Sequence, residues 1–475
     1  MTSAPDLHNL FYPRSIAVVG SSTKRGFVWS SGNAYINGCI KQSFHGKIFP
    51  VHPSADYILG YKCYRTIRDI RGDIDLVIFC VPASAVLDVM DACAEKKVKF
   101  VHLLTAGFTE TGRASDAEVE KKLVEKARMA GIRIVGPNCM GLYCPEGGLS
   151  WNSEMPDKIG KIGMFSQSGQ LATMSVASGA SEGLFFSKVV SFGNASDLKA
   201  HDYLNYMAED PKIEIIVAYL EGLTEGRAFF DAAKKISALK PLVVWKGGQT
   251  EGGARATQSH TAAMAGSFHV WQSMCRQAGI IPVNSMEEMI YTISAVKRLS
   301  LPRGSNIAVL GGAGGGGVTM TDHAEKAGLH VPHLSEKSIA KLQEVIPLEG
   351  SSVRNPLDIL PHLRSRENFQ KLMELLKEDP HIDALFFALH LGFIYRDAGR
   401  VGVNYFVRIM TKLQEWLEKP IYLILETFGD AQLFALRREV EETLVAHKTA
   451  VFPSFEIAAG VMKRLLDYSE YKTMN

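Results

Sequence analysis

From residue 15 onward the chain alternates short, continuously apolar runs with amphipathic stretches of ten or more residues. The runs SIAVVG, KIFPV, DLVIFCV, VKFVHLL and IRIVG are rich in β-branched and aromatic residues and lack polar alternation. Between them, ASAVLDVMDACAEKK and SDAEVEKKLVEKARMAG repeat their apolar positions at helical spacing. Strands that are apolar on both faces need helices on both faces, so this alternation restricts the chain to parallel α/β sheets.

A polar passage rich in glycine and proline, CPEGGLSWNSEMPDKIGK, breaks the pattern near residues 144–161. The alternation resumes with IGMFS, KVVSFG, IEIIVAYLEG and PLVVWKGG. After SLPRGSN it starts again with IAVLGGAGGGGV, ALFFALHLG and PIYLILET, and it closes on the helix SFEIAAGVMKRLLDYSEY. With 475 residues there is room for three cores at about 150 residues each. The fold class read from this is α/β with three doubly wound parallel-sheet units, spanning residues 1–145, 146–300 and 301–475.

Charged residues make up 21% of the chain and the formal net charge is +2, without the basic stripe that nucleic acids demand. The N-terminus MTSAPDLHNLFYPRS lacks the basic start and apolar core of a signal peptide, and no apolar run reaches the roughly 18 residues of a membrane span. A cytoplasmic protein without nucleic-acid or membrane partners is expected. The seven cysteines contain no CxxC pair and have no histidine at metal-ligand spacing, so they read as reduced thiols, and no metal site is expected on this chain.

In open parallel sheets, ligands bind beyond the carboxyl ends of the strands, at helix N-termini. After the first strand comes GSSTKRG, Gly20 to Gly26. Its glycine spacing is not GxGxxG, and the second strand ends in PVHP without a ribose-binding carboxylate, which disfavours NAD. Ser21, Ser22, Lys24 and Arg25 suit a nucleotide with an extra phosphate monoester, or else form a turn with solvated charges. VPAS with Pro82, TAGFTETG with Glu110, and GPNCMG from Gly136 to Gly141 follow later strands and are, singly, common loops.

FSQSGQLA leads a strand into a helix through Ser166, Gln167, Ser168 and Gly169. Free amides and hydroxyls there make an anion site, with Gly169 leaving clearance for a phosphate, or the serines simply cap the helix. YLEG ends a buried strand with Glu221, a carboxylate that is costly unless paired. A histidine would be the useful partner, because a carboxylate fixes the imidazole tautomer and raises the nucleophilicity of the other nitrogen. His260, in QSHTAAMAG, lies one helix and one strand further on and so returns to the same sheet edge. GGAGGGGV, residues 311–317, lacks the lysine of a Walker loop and is either a phosphate loop or close packing between sheets.

Taken in order, SIAVVGSSTKRG, PVHP, VPA, TAGFTETG, GPNCMG, FSQSGQLA, YLEG, KGG, SHTAAMAG, GGAGGGGV and NPLD resemble the nucleoside-diphosphate-forming acyl-CoA synthetases, relatives of the succinyl-CoA ligase α subunit. The resemblance runs from about residue 8 to about 465. It implies a Rossmann-like CoA-binding domain, two flavodoxin-like ligase domains and a phosphohistidine intermediate. His260 would be phosphorylated, Glu221 would orient it, and the Ser166–Gln167–Ser168–Gly169 turn would cradle the phosphoryl group. Gly20, Ser21, Ser22, Lys24, Val51, Pro53, Pro82 and Asn138 would lie along CoA.

The family also implies an ATP-grasp portion, and nothing after residue 300 reads as one. A separate ATP-grasp β subunit is therefore expected, in an αβ hetero-oligomer, binding ATP or ADP and Mg2+. The substrate would be a small carboxylic acid and its acyl-CoA, interconverted reversibly through acyl phosphate. The glycine- and alanine-rich run Gly247 to Gly266 suits a loop moving between two sites, or a rigid buried loop. Met264 departs from the family's smaller residues. The competing function is a CoA-binding or regulatory protein of the same fold without turnover, which would need neither Glu221 nor His260.

Overall fold

The computed structural model describes the backbone of residues 5–22, 31–261, 267–311, 314–347, 349, 351–359, 365–427 and 431–474, with the side chains of 258–261 and Glu415 outside that description. The chain forms two compact units, Met1–Asn284 and Ser285–Asn475.

The first unit holds two large sheets. One is built from Ser15–Val19 (β1), Lys47–Val51 (β2), Leu76–Phe79 (β5), Phe100–Leu103 (β6) and Arg133–Val135 (β7); a two-residue hairpin, Tyr57–Ile58 (β3) with Tyr61–Lys62 (β4), stands apart. The order is β2-β1-β5-β6-β7 and every pairing is parallel. The other sheet uses Gly141–Tyr143 (β8), Ile162–Ser166 (β9), Phe186–Ser191 (β10), Ile215–Leu220 (β11), Leu242–Lys246 (β12) and Ile281–Val283 (β13), in the order β13-β12-β11-β9-β10-β8. Only β8, at the edge, runs antiparallel to its neighbour. Helices over Gly32–Lys41, Val86–Glu95 and Ala114–Met129 serve the first sheet, and Gly169–Ser181, Ala200–Glu209, Gly226–Ser237 and Glu251–Thr261 serve the second. The central strands are buried along their length, as their unbroken apolar sequences require.

The second unit carries Ile307–Leu310 (β14), Ala384–His390 (β15), Ile421–Glu426 (β16) and Val451–Phe452 (β17), parallel and in that order. The helix Met286–Arg298 packs on the final helix Phe455–Met474, fastened by Arg464 to Glu288 at 2.5 Å. The division at Asn284/Ser285 thus precedes the SLPRGSN linker from which a boundary at 300/301 was read. At the other boundary, β8 lies before the glycine- and proline-rich passage yet pairs with β10. Its three residues include a glycine and give no periodic signal.

Within the glycine-dense stretch of the second unit, Gly311 at φ +119° has no room for a side chain, because a Cβ would sit 2.0 Å from the Ala388 carbonyl oxygen. Close packing accounts for that glycine. Gly314, Gly315 and Gly316 face open space at the start of the helix Gly315–Lys326, and the Gly314 amide donates to Asp358 of NPLD at 3.0 Å. Residues 312 and 313 lie outside the described set. No described helix is long and apolar enough to cross a membrane.

One buried histidine marks the first sheet. His102 on β6 is fully buried, with Nε2 3.3 Å from the Cys139 carbonyl and its ring against Gly141, where a Cβ would lie 2.2 Å from Cε1. Nδ1 has no partner among the described residues. Burial pulls the imidazole down to about 4. Because the unfolded chain takes up the proton at higher pH than the folded one, stability is full above the ordinary histidine range. It falls as the pH drops from about 6.5 to about 4, by about 3 kcal/mol in all. Denaturant titrations at pH 7 and pH 4.5 should show this loss, and His102→Asn should flatten the pH dependence whatever its absolute stability. An equal slope in both proteins would assign the acid sensitivity elsewhere.

Candidate active site

In the second sheet β9 and β11 are neighbours, but the chain leaves β9 toward β10 and leaves β11 toward β12, in opposite directions. Their carboxyl ends therefore flank a topological switch point, the crevice where open α/β sheets bind ligands. Gln167, immediately after β9, spans it. Its Oε1 accepts the backbone amides of Glu221 at 2.6 Å and Gly222 at 3.0 Å, both immediately after β11. The Gln167 amide itself donates to the Tyr219 carbonyl at 3.1 Å. Gln167 and Glu221 are both buried.

Lys246, the last residue of β12, completes the cluster. Its ammonium donates to the Glu221 carbonyl oxygen at 2.8 Å and to that of Gly247. Burial pulls the Lys246 ammonium down, and the Glu221 charge opposes that shift. Tyr219 stands beside the carboxylate: burial pushes its phenol far up, helped by the Glu221 charge and a side-chain hydrogen bond to it. Gly247 is required for this packing, since a Cβ would lie 2.6 Å from the Tyr219 hydroxyl. Glu221 is thus held at the crevice through its amide, its carbonyl and a phenol. Neither Lys246 nor Tyr219 was singled out from the sequence. The signal available was the lysine of KGG, a charge closing a buried strand.

The segment after β12 differs from the expected loop. Residues Glu251–Thr261 form a helix, begun by the Thr250 hydroxyl accepting the Gly253 amide at 3.1 Å. Alanine, arginine and glutamine in the following turns outweigh the two glycines. His260 falls within this helix; its side chain lies outside the described residues, as do residues 262–266 with Met264. The helix packs against the turn Thr109–Thr111 of TAGFTETG, so a loop of the first sheet meets the segment that carries His260.

In the turn between β9 and its helix, both serine hydroxyls have structural partners. Ser166 Oγ donates to the Ser168 carbonyl at 2.7 Å, and Ser168 caps the helix by accepting the Leu171 amide at 3.3 Å. The space over Gly169 belongs to Met140, whose Cγ would be 2.2 Å from a Cβ there. What this turn offers an anion is the first-turn amides of Gly169 and Gln170, at the positive end of the helix.

Gly20, Val51 and the loop bearing Pro82 converge at the carboxyl edge of the first sheet. Gly20, at φ +96°, donates to the Val51 carbonyl at 3.3 Å and leaves no room for a Cβ, which would fall 2.2 Å from the Cys80 oxygen. Ser21 Oγ donates to the Val18 carbonyl at 3.3 Å, and Ser22 is clasped by Asn33 through its amide and carbonyl at 2.9 and 2.7 Å. Pro53 and Pro82 are exposed at this edge. Lys24 lies outside the described residues, with all of 23–30.

Asn138 sits apart, after β7, two strands beyond β5. Its Nδ2 donates to Asn194 Oδ1 at 3.4 Å, and Asn194 in turn donates to Glu110 at 2.6 Å and Glu120 at 3.2 Å. Asn138 therefore joins the two sheets' loops to each other. Glu110 also accepts the Gly107 and Phe108 amides at 2.6 and 3.2 Å, so these donors of TAGFTETG are already used within the loop.

Residues 14–145 match the family described as a CoA binding domain, and residues 159–296 the succinyl-CoA ligase like flavodoxin domain. The chain is 36% identical over 382 residues to the acetate–CoA ligase [ADP-forming] II subunit alpha of Pyrococcus furiosus, a match covering 80% of this chain and 81% of that one. It is 34% identical over 365 residues to the 4-hydroxybutyrate–CoA ligase [ADP-forming] of Nitrosopumilus maritimus, where 76% of this chain matches 51% of a longer protein. Among solved structures, the dinucleotide forming acetyl-coenzyme A synthetase 1 of Ca. Korarchaeum cryptofilum, in complex with phosphate and ADP, superposes with a TM-score of 0.82 at 30% identity, covering 98% of both chains.

Proposed function

Because this chain belongs to the ADP-forming acyl-CoA ligase family, we propose that it is the α subunit of such an enzyme and interconverts acyl-CoA, phosphate and ADP with a carboxylic acid, CoA and ATP. The observation that carries this reading is Glu221, buried at the switch point and held through Gln167 and Lys246, beside a helix N-terminus and one strand before the helix containing His260. A scaffold that only bound CoA would have no use for that carboxylate.

The chemistry runs in three reversible steps. A phosphate oxygen attacks the acyl carbonyl carbon, the C–S bond breaks, and CoA leaves as a thiolate that takes up a proton, giving acyl phosphate. A ring nitrogen of His260 then attacks phosphorus and the carboxylate leaves. The phosphoryl group finally passes from the ring to ADP. Positioning and preorganised dipoles supply what phosphoryl transfer needs, here from the first-turn amides of Gly169–Ser181 and from Gln167. Glu221 holds the ring proton on the other nitrogen, leaving the attacking one neutral, and balances the charge that develops on the imidazole.

CoA would lie on the carboxyl edge at Gly20, Val51, Pro53 and Pro82, with Ser21 and Ser22 shaping the turn and Lys24 meeting the ribose monoester phosphate. Among the described residues no cluster of histidine, cysteine and carboxylates could hold a metal ion. ATP or ADP, with Mg2+, is assigned to an ATP-grasp β subunit in an αβ hetero-oligomer, a reading supported by the α-subunit designation of the Pyrococcus relative. A cytoplasmic setting suits the seven cysteines, all unpaired.

Incubating the chain with 32P-orthophosphate and a series of acyl-CoAs from acetyl to benzoyl should release free thiol and leave acid-labile, base-stable label on the protein. No label and no thiol with any of them would overturn the proposal in favour of a CoA-binding protein without turnover. For the CoA edge, Lys24→Ala should weaken CoA about tenfold and dephospho-CoA much less, measured by calorimetry. Equal weakening of both would place the lysine away from the monoester.

A further inference from the structure

A cavity of about 150 Å³ opens beside the switch point, within the first unit. At roughly 10–15 Å³ of such space per water it holds on the order of ten waters, far more than a two-carbon acid fills. Its walls combine Phe192, Leu223 and Phe229 with Gln167, Lys199 and His201.

Gln167 gives the cavity its direction. Oε1 is committed to the Glu221 and Gly222 amides, which fixes the orientation of the carboxamide. Among the described residues the Nε2 hydrogens have no partner, and they belong to a side chain 93% buried, at 7% exposure. They are a prearranged donor beside the reacting group. Lys199 is the second donor. Its ammonium is held by the carbonyl oxygens of Ala195 and Ser196, and none of the described carboxylates lies within ion-pair distance. Of its three N–H groups, one remains for a ligand.

The charge of the lining decides what that ligand can carry. Lys199 contributes one positive charge and Glu120 and Glu225 one negative each, with His201 Nε2 3.7 Å from Glu225, so the lining carries no net positive charge whichever state the imidazole is in. Glu120 is already saturated by Thr109, Asn194 and Ser196. A second carboxylate on the ligand would find no surplus positive charge beside two lining carboxylates, whereas a hydroxyl or carbonyl can use the donors without repulsion.

Resting on the ligase reading above, we propose that this cavity is the acyl pocket, and that it selects a monocarboxylic acid of roughly four to six carbons with an uncharged hydrogen-bonding group away from its carboxylate. The carboxylate takes the Gln167 end next to Glu221, the chain runs along Phe192, Leu223 and Phe229, and the distal hydroxyl or carbonyl meets Lys199 and His201.

Direct binding tests this separately from phosphoryl transfer. Ligand-observed NMR titrations of the chain with acetate, butyrate, 4-hydroxybutyrate and succinate should rank 4-hydroxybutyrate first, about tenfold tighter than butyrate, with succinate weaker than butyrate. Leu223→Trp, at a partly exposed position, should weaken 4-hydroxybutyrate at least tenfold more than acetate. Lys199→Met should erase the preference for the hydroxylated acid over butyrate. If succinate ranks first the charge argument fails, and if Leu223→Trp weakens every acid equally or none, the cavity is not the acyl pocket. These outcomes stand whether or not the chain takes up phosphate label.

Discussion

With His260 replaced by asparagine, the labelling experiment with acyl-CoA and 32P-orthophosphate is expected to leave no base-stable phosphate on the protein. Overall synthesis of ATP with a nucleotide-binding partner should fall by about 10⁴-fold or more, the scale on which covalent catalysts lose activity when the nucleophile is removed. Asparagine keeps a polar, hydrogen-bonding side chain in the helix Glu251–Thr261 without a nucleophilic ring, so folding and CoA affinity should persist. Thiol release should continue to about one equivalent per chain, because attack of phosphate on the thioester precedes the histidine step. Label on His260→Asn equal to the wild type would move the phosphorylated group elsewhere. Loss of thiol release with retained CoA binding would place His260 in the first step instead.

The parallel sheets were legible because burial on both faces writes itself as uninterrupted apolar runs: Ile16–Val19, Val77–Phe79, Val217–Ala218 and Leu385–Leu389 are buried strand residues. Gly141–Tyr143, Ile281–Val283 and Val451–Phe452 were not, since two or three residues carry no period. The site was half legible. A carboxylate at the end of a buried strand stands out as a cost needing a reason, so Glu221 could be read alone. Its supports could not: Gln167 reaches it across 54 positions of sequence, Lys246 binds carbonyl oxygens rather than a charge, and neither relation has a sequence pattern. In the sequence Gly169 signals clearance for a ligand, while its space is taken by Met140 from another strand's approach. Glycine records that something comes close but not what. The run from Gly247 reads as a loop because four glycines in seven residues outweigh a single capping threonine when read locally.

Glu221→Gln carries the other large expectation, a drop in turnover of about 100-fold, or roughly 2.7 kcal/mol of transition-state stabilisation. The substitution is nearly isosteric, and the backbone bonds that fix the residue, amide to Gln167 and carbonyl from Lys246, do not involve the carboxylate. Thermal stability should therefore stay close to wild type. What changes is charge: a carboxamide can present the same hydrogen-bonding oxygen to the imidazole but cannot balance the positive charge that develops there as phosphorus is attacked. The loss should thus appear in kcat, with KM for acyl-CoA little altered, and the rate of label uptake should fall with it while the final extent of labelling recovers at long times. Gln167→Ala separates positioning from charge. It leaves the Glu221 carboxylate in place but strips the acceptor from two buried amides, so stability and rate should fall together. If Glu221→Gln turns over as fast as wild type, the carboxylate is only a filler of the switch point, and the neutral ring nitrogen of His260 must be maintained by another group.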